Sequence, residues 1–159
     1  MLLSELLTEA AVTTRLRATD KREAIAELVG LLESAHQTDS QGEILDRVLR
    51  RESMMSTGIG NGVAIPHGKA RAMDRMVAAC GVSKGGVDFE ASDGEPAYLF
   101  FLLVSPESVG TPHVKVLANI SRILKEETVR RTLREADSPQ AFLNAVRAAE
   151  AKYLATTSI

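Results

Sequence analysis

The chain has 159 residues, 19 basic and 21 acidic side chains with a formal net charge of −2, and one cysteine, Cys80. This length predicts one domain that buries about 70% of its unfolded surface. The charges of both signs are interleaved, which excludes the basic stripe typical of nucleic-acid binding. A lone cysteine excludes an internal disulfide and a CxxC metal or redox site.

The longest apolar run, 97–104, has eight residues, whereas a membrane-spanning helix needs about 20. The first residues contain an acidic side chain, Glu5, and no basic segment, so we expect no signal peptide. These features predict a cytoplasmic protein that is not embedded in a membrane.

Two helices are predicted in the first third of the chain. The segments 20–23 and 40–43 both have the pattern of a capping box, and each is followed by apolar residues at helical spacing. The second helix is expected to end near Glu52. The core-facing residues are predicted to be Ile25, Leu28, Val29 and Leu32 in the first helix and Ile44, Leu45, Val48 and Leu49 in the second.

Strand signals fill the middle of the chain. Short strands are predicted at 63–65, 76–83 and 87–89, with turns at 84–86 and 92–95. The run Ala97–Ser105 is almost continuously apolar, which is typical of a central strand covered on both faces.

The last third is helical, with helices predicted at 113–124, 127–135 and from the Ser138-Pro139 cap to about Tyr153. On the helix 113–124, the inward face is expected to carry Val114, Leu117, Ile120, Ser121 and Leu124, with Val116 and Ile123 widening the apolar face. The fold class predicted from these elements is a single-domain α/β sandwich, a small mixed β-sheet with helices on both faces.

The segment 56–70, STGIGNGVAIPHGKA, is the most informative part of the sequence. Glycines permit a positive φ and leave backbone amides uncovered by side chains. Pro66 fixes its own φ and restricts Ile65, so His67 is expected on a stiff turn beside free amides. Such an imidazole suits a group that takes up an anion and releases it.

Two other histidines are present. His113 also follows a proline and begins a predicted helix, where backbone amides favour an anion, so it could share a site with His67. The competing interpretation is a helix-start histidine bonded to a carbonyl. His36 lies in the tail of the first helix and is expected to be a solvated surface group.

Other catalytic patterns fail. The glycine segment lacks the last glycine of GxGxxG, and Ala70 stands where a P-loop would have Ser or Thr. No HExxH, DxDxDG or GxSxG pattern occurs. A hydrolase or metal enzyme that uses His67 and His113 is disfavoured because carboxylate and thiolate ligands at metal spacing are missing. We expect no metal and no cofactor.

The segment 56–69 resembles the phosphorylation-site signature of enzyme IIA of the fructose–mannitol class in the phosphoenolpyruvate-dependent phosphotransferase system. The nearest branch is similar to the nitrogen-regulatory IIA proteins. The resemblance extends from 2–7 through the strand 97–104 to 128–133. It implies one IIA-type phosphoryl-carrier domain at 1–153, followed by a frayed tail at 154–159.

The resemblance also implies residue roles. His67 corresponds to the phosphoryl acceptor and His113 to the second active-site histidine. Arg51 matches the arginine beside the site better than Arg50, although the two are close alternatives. The donors to the phosphoryl oxygens would be His113, Arg51 and amides of the phosphate loop. That loop is expected to comprise Gly58, Gly60, Asn61, Gly62 and Gly68.

The implied function is a phosphoryl carrier, a transferase component rather than an independent catalyst, that accepts phosphate from the phosphocarrier protein HPr or its nitrogen-branch equivalent. We expect it to regulate target proteins through its phosphorylation state. The alternative is a sugar-specific, fructose- or mannitol-type IIA subunit that passes phosphate to a IIB cysteine. A pure binding module that has lost phosphorylation is disfavoured by the intact Pro66-His67-Gly68.

Overall fold

The computed structural model describes residues 1–154, and the side chain of Thr111 is outside that description. Within these residues it contains an open mixed sheet and two groups of helices. The helices are α1 Leu3–Leu6, α2 Lys21–Ala35, α3 Glu43–Met54, α4 Thr111–Ile123, α5 Glu127–Glu135 and α6 Pro139–Tyr153. The strands are β1 Val12–Thr13, β2 Gly58–Gly60, β3 Val63–Ala64, β4 His67–Ala70, β5 Val77–Val87 and β6 Ala97–Pro106.

The apolar strand β6 lies at the centre of the sheet, as its sequence predicts. One edge pairs with β5 in antiparallel orientation, and the other edge pairs first with β3 and then with β4, both parallel. The outer strands are β1, parallel to β5, and β2, antiparallel to β3. The predicted mixed sheet is therefore confirmed, although α1, β1 and β4 were not predicted. His67 begins strand β4 and does not lie on the expected turn.

The two faces of β6 are covered by different helices. Successive residues of a strand point to opposite faces, and both Phe100 and Phe101 are fully buried. The Phe101 ring packs 6.1 Å from Phe142 of α6, whereas Phe100 packs 5.6 Å from Phe89, which lies below Lys21 of α2. The predicted sandwich with helices on both faces is confirmed.

The helix boundaries follow from local capping. The Asp20 side chain accepts a hydrogen bond from the Glu23 amide, and that of Ser138 accepts one from the Ala141 amide. These contacts satisfy amides that have no partner inside the first turn of a helix. Helix α3 differs slightly, because Ser40 bonds the Ile44 amide while Gly42, with φ 90°, is the residue before the helix.

Two predicted loops are parts of strands. The predicted turn at 84–86 lies inside β5. The pairing register with β6 shifts there, between Val82 and Val87, and the Ser83 hydroxyl accepts a hydrogen bond from the Gly86 amide. The glycine segment forms a β-hairpin in which β2 and β3 are joined by Asn61 and Gly62, with φ 58° and 76°. Two consecutive positive φ values are typical of a tight hairpin turn, and Asn-Gly is its favoured sequence.

The inward face of α4 also differs from the prediction. Val114 is 63% exposed, whereas the buried residues are His113, Val116, Ile120 and Ile123. This set has the spacing of one helix face, so His113 belongs to the face that packs against the sheet. The tail predicted to fray comprises residues 154–159. From residue 155 onward it lies outside the described part of the chain, so fraying stays a prediction.

Candidate functional site

Strand β4 and the first turn of α4 bring two histidines together. Gly68 faces α3, so its neighbour His67 points to the opposite side of the strand. His113 enters that space from α4, and the two ring centroids are 5.5 Å apart at an interplanar angle of 60°. The two histidines singled out in the sequence therefore share one site. His113 begins a helix, but its ring faces the other imidazole.

The tautomer of His67 follows from its hydrogen bond. Its Nδ1 lies 2.9 Å from the carbonyl oxygen of Ile65. A carbonyl can only accept, so Nδ1 carries the proton and Nε2 keeps its lone pair. Partial burial lowers the pKa of His67, and the Arg51 charge lowers it further, against the opposing effects of the Ile65 bond and Glu52. The ring is therefore neutral at pH 7, with Nε2 available as a nucleophile.

His113 is 5% exposed and is held by a residue that the sequence analysis did not single out. Its Nδ1 lies 2.6 Å from the buried hydroxyl of Ser105, at the end of β6. Burial and the neighbouring charges of His67 and Lys69 lower the pKa of His113 to about 4. Nothing in the sequence around Ser105 distinguishes it from a residue that simply ends an apolar strand.

The structure separates the two candidate arginines. Arg51, in the last turn of α3, donates from Nη1 to the Met55 carbonyl at 2.9 Å and lies close enough to lower the pKa of His67. Arg50 points away into solvent, where its Nε is 3.4 Å from Asp46. Arg51 is therefore the arginine that lies beside the histidines.

A buried carboxylate ties the end of α3 to the hairpin. Glu52 is 5% exposed and accepts hydrogen bonds from the amide and the hydroxyl of Thr57, at 2.9 and 2.5 Å. The Lys21 ammonium lies 2.9 Å from the same carboxylate. A buried carboxylate needs such partners. Glu52 thereby ties the chain just after Arg51 to the start of the hairpin and to α2, a function that its charged sequence context did not reveal.

The predicted phosphate loop needs correction. Because β3 pairs with Leu99 and β4 with Leu103 of the same strand, the hairpin turn and His67 are separated by about four residues, or roughly 13 Å of strand. The structure does not bring Gly60, Asn61 and Gly62 to the histidines, because a hairpin turn points away from the strand that follows β3.

The amides of the hairpin are also engaged elsewhere. The Asn61 amide donates to the Asp93 carboxylate at 3.0 Å, and the Gly58 amide donates to the Ser56 hydroxyl at 3.0 Å. Gly68 does adjoin His67, but its packing alone explains the glycine. A Cβ there would lie 3.2 Å from the Val48 side chain and 3.3 Å from the Val48 amide nitrogen.

His36 is not the fully solvated group that was predicted. It is half-buried at the end of α2, with Nε2 3.4 Å from the Ala78 carbonyl oxygen. Burial lowers its pKa below the ordinary value. Its partner Ala78 lies on β5, which β6 separates from His67 on β4.

Two further features of the described residues bear on membrane spanning and on metal binding. None of the helices within residues 1–154 is long and apolar enough to cross a bilayer. The same residues contain no group of three or more histidine, cysteine, aspartate or glutamate side chains placed to hold a metal ion. The expectations of a cytoplasmic location and of no metal remain predictions.

Residues 5–149 match the family model described as the phosphoenolpyruvate-dependent sugar phosphotransferase system, EIIA 2. A fructose-specific EIIABC component from Bacillus subtilis is 36% identical over 92% of this chain, which spans 23% of that longer relative. A nitrogen regulatory protein from Bradyrhizobium diazoefficiens is 33% identical over 89% of this chain and 92% of its own length.

The fold comparison agrees. The crystal structure of the nitrogen regulatory protein IIA-Ntr from Neisseria meningitidis superposes with a TM-score of 0.84 at 26% identity, covering 90% of this chain and 97% of that one. The mixed α/β sandwich thus has its counterpart in a phosphotransferase-system IIA protein. The chain belongs to the EIIA type 2 family of the phosphoenolpyruvate-dependent sugar phosphotransferase system.

Proposed function

We propose that this protein carries a phosphoryl group on Nε2 of His67. The observation that supports this most directly is the Nδ1 bond to Ile65 at 2.9 Å, since it leaves Nε2 deprotonated on a neutral ring 5.5 Å from a second imidazole. Membership of the EIIA type 2 family supports the same assignment.

The transfer step needs no acid or base. His67 Nε2 attacks the phosphorus of a phosphohistidine on the donor, in line with the donor N–P bond. The transfer forms an N–P bond to Nε2 of His67 and breaks the N–P bond of the donor. The electron pair of the broken bond stays on the donor ring nitrogen. The proton on Nδ1 stays in its bond to Ile65. Such a reaction depends on positioning and charge stabilisation.

We assign two groups to the stabilisation of the transferred oxygens. The guanidinium of Arg51 offers a planar fork of donors that suits phosphate. His113 is neutral at pH 7, since its pKa is about 4. If Ser105 donates to Nδ1 of His113, the remaining proton is on Nε2 and can be donated to the phosphoryl group. Removal of one such donor should slow transfer by about 10²–10³-fold.

We infer that the donor docks on the exposed apolar side chains beside these groups. Met54 and Met55 follow Arg51 and are 80% and 72% exposed, and Val114 follows His113 and is 63% exposed. Exposed large apolar side chains near one site are typical of a protein contact. By the family resemblance, the donor is HPr or its nitrogen-branch equivalent.

The assignment is tested by incubation with phosphoenolpyruvate, enzyme I and HPr, or with the nitrogen-branch donors. We expect one equivalent of acid-labile, base-stable phosphate, absent in His67→Ala and taken up slowly in His113→Ala. Arg51→Gln should slow uptake by about 10²-fold. Its matched control is Arg50→Gln, because Arg50 is one residue away and faces solvent, and it should label at the wild-type rate. Labelled His67→Ala would refute the proposal.

We favour regulation over sugar delivery as the use of this phosphate. The nitrogen regulatory relative supports this choice, because 92% of that relative's own length matches this chain. Phosphate on His67 adds a charge of about −1.5 to −2 to one face, enough to block or create partner contacts. The fructose-specific relative supports the alternative, in which the phosphate passes to a IIB cysteine. Rapid stoichiometric transfer to a fructose or mannitol IIB component would overturn the regulatory assignment.

A further inference from the structure

A cavity lies at the opposite end of the central strands from His67. It has a volume of about 500 Å³, within the range of small-molecule sites. Its walls come from β5, α5 and the hairpin turn, the part of the glycine segment that the histidine site does not use. Val82 in its wall pairs with Leu99, four residues along β6 from the partner of His67.

The cavity is positively charged. Four cationic and two acidic side chains line it, which leaves a net charge of +2. The six charged residues are Lys84, Arg130, Arg131, Arg134, Glu127 and Glu135. None of the ion pairs among residues 1–154 involves any of the four cations. This contrasts with Arg47 and Arg50 on α3, which both lie within 4 Å of carboxylates.

Three of the cations are held by contacts that do not neutralise them. Arg130 donates from Nη1 to the carbonyls of residues 124 and 125, at 2.7 and 2.8 Å. The Arg134 guanidinium stacks 3.8 Å from the centroid of Tyr98. The Lys84 ammonium donates to the Arg134 carbonyl at 3.2 Å. Fixed guanidinium groups lose little conformational entropy when they bind an anion.

We propose that this cavity binds a small dianion, a molecule with a phosphate monoester or two carboxylates. A charge of +2 matches a phosphate monoester, which carries about −1.5 to −2 at pH 7. Arginine forks bind phosphate and carboxylate oxygens in the same bidentate manner. The side chains of Asn61 and Ser83 add neutral polar groups at the wall. The site is separate from His67 and does not depend on the proposed phosphoryl transfer.

The test is a titration of the ¹⁵N-labelled full chain with glycerol 3-phosphate, with succinate and with uncharged glycerol. We expect saturable amide shifts in 82–84 and 127–135 with one or both dianions and none with glycerol. The dianion that binds with the higher affinity shows whether the cavity prefers a phosphate monoester or two carboxylates. Shifts confined to residues near His67 and His113 would overturn the proposal, as would the absence of saturation with both dianions.

Substitutions separate specific binding from general charge effects. The double variant Arg131→Gln with Arg134→Gln should weaken binding by about tenfold or more, because two charge-assisted contacts are lost. The matched control is Arg147→Gln, an exposed arginine on α6 outside the cavity, which should bind as the wild type does. The dispersion of the amide spectrum of each variant shows that it folds. Equal affinity of the double variant and the control for the dianion would contradict the proposal. Binding of nucleic acid or of an acidic protein but of neither small dianion would contradict it as well.

Discussion

At the scale of single residues, the candidate site depends on which nitrogen of each histidine carries a proton. The Ile65 carbonyl settles this for His67, because it accepts a hydrogen bond from Nδ1. Ser105 can donate or accept, so its contact with His113 is compatible with either tautomer. Burial keeps both rings neutral, which preserves a lone pair on the nucleophile and avoids repulsion between two imidazolium groups 5.5 Å apart.

The low pKa of His113 predicts a pH dependence of stability. Its pKa is about 4 in the folded protein, against about 6.5 in an unfolded chain. The unfolded state therefore binds more protons between these values, and stability falls as the pH drops from 6.5 towards 4. Between pH 7 and pH 5 the contribution of this residue to the loss should be about 1 to 2 kcal/mol.

Urea unfolding of the wild type and of His113→Gln at pH 7 and pH 5 measures this contribution. All other ionisable groups are present in both proteins, so the difference between the two pH dependences isolates His113. A variant that loses as much stability as the wild type over this interval would show that His113 is not buried as a neutral ring.

The residue scale also shows what the sequence could not supply. His67 and His113 were recognisable because each follows a proline, and Arg51 because it matches a motif. Ser105 and Glu52 were missed. One ends an apolar strand and the other lies in a charged helix, and in both cases the partner is decided by chain segments that meet only in the folded protein.

At the scale of elements, the site depends on the close approach of β4 and α3. Gly68 permits this approach, since there is no side chain between the strand and Val48. The approach also places Arg51, one turn further along α3, beside His67. The position of Arg51 beside His67 thus depends on a glycine that contributes no chemistry.

Gly68→Ala should disturb both packing and function. The added Cβ would lie 3.2 Å from the Val48 side chain and 3.3 Å from its amide nitrogen, so strand and helix must separate. We expect a loss of about 1 to 3 kcal/mol in unfolding free energy and slower phosphoryl uptake. Chemical denaturation and phosphate labelling measure the two effects.

Gly30→Ala is the matched control. Gly30 lies in α2, and a Cβ there would have no heavy atom within 4 Å. Alanine has the higher helix propensity, so this variant should be more stable by roughly 0.5 to 1 kcal/mol. If Gly68→Ala behaves in the same way as Gly30→Ala, the close packing of β4 on α3 is not a determinant of the site.

Elements were predicted well where their signals are local. Capping residues and apolar spacing identified α2, α3, α5 and α6, and the long apolar run identified β6. Among the failures were a predicted turn at 84–86 that continues a strand and a glycine loop that forms a hairpin. Glycine signals flexibility to any sequence method, whereas the neighbouring strand decides whether it pairs.

At the scale of the whole molecule, one buried cluster extends across both faces of the sheet. Cys80, the single cysteine of the chain, lies in the middle of β5 and is fully buried. Burial raises the pKa of its thiol well above the usual range. Its alkylation therefore requires an opening of the sheet that disrupts the common core.

We predict that Cys80 reacts with an alkylating reagent only through such opening. Phe101→Ala removes the ring contact with Phe142 of α6 and should lower the free energy of unfolding by about 3 to 5 kcal/mol. The rate of alkylation under native conditions should rise by the factor that corresponds to this change in free energy. Exposure of the thiol in urea gives the reference rate for the open chain. Reaction of the native wild type at the reference rate would refute the buried position, and an unchanged rate in Phe101→Ala would exclude a common core.

The family, the sandwich of sheet and helices, and the histidine proposed to carry phosphate could be predicted because each is encoded in short segments, namely a motif of consecutive residues, capping patterns and an apolar run. Which charged groups meet became clear only in the folded chain. Arg51 and not Arg50 lies beside His67, and Asn61 with its turn lies at the far end of β6. Cations of β5 and α5 that form no ion pair within residues 1–154 line one cavity. Side-chain partners across a sheet depend on strand register and helix packing, which no local pattern specifies.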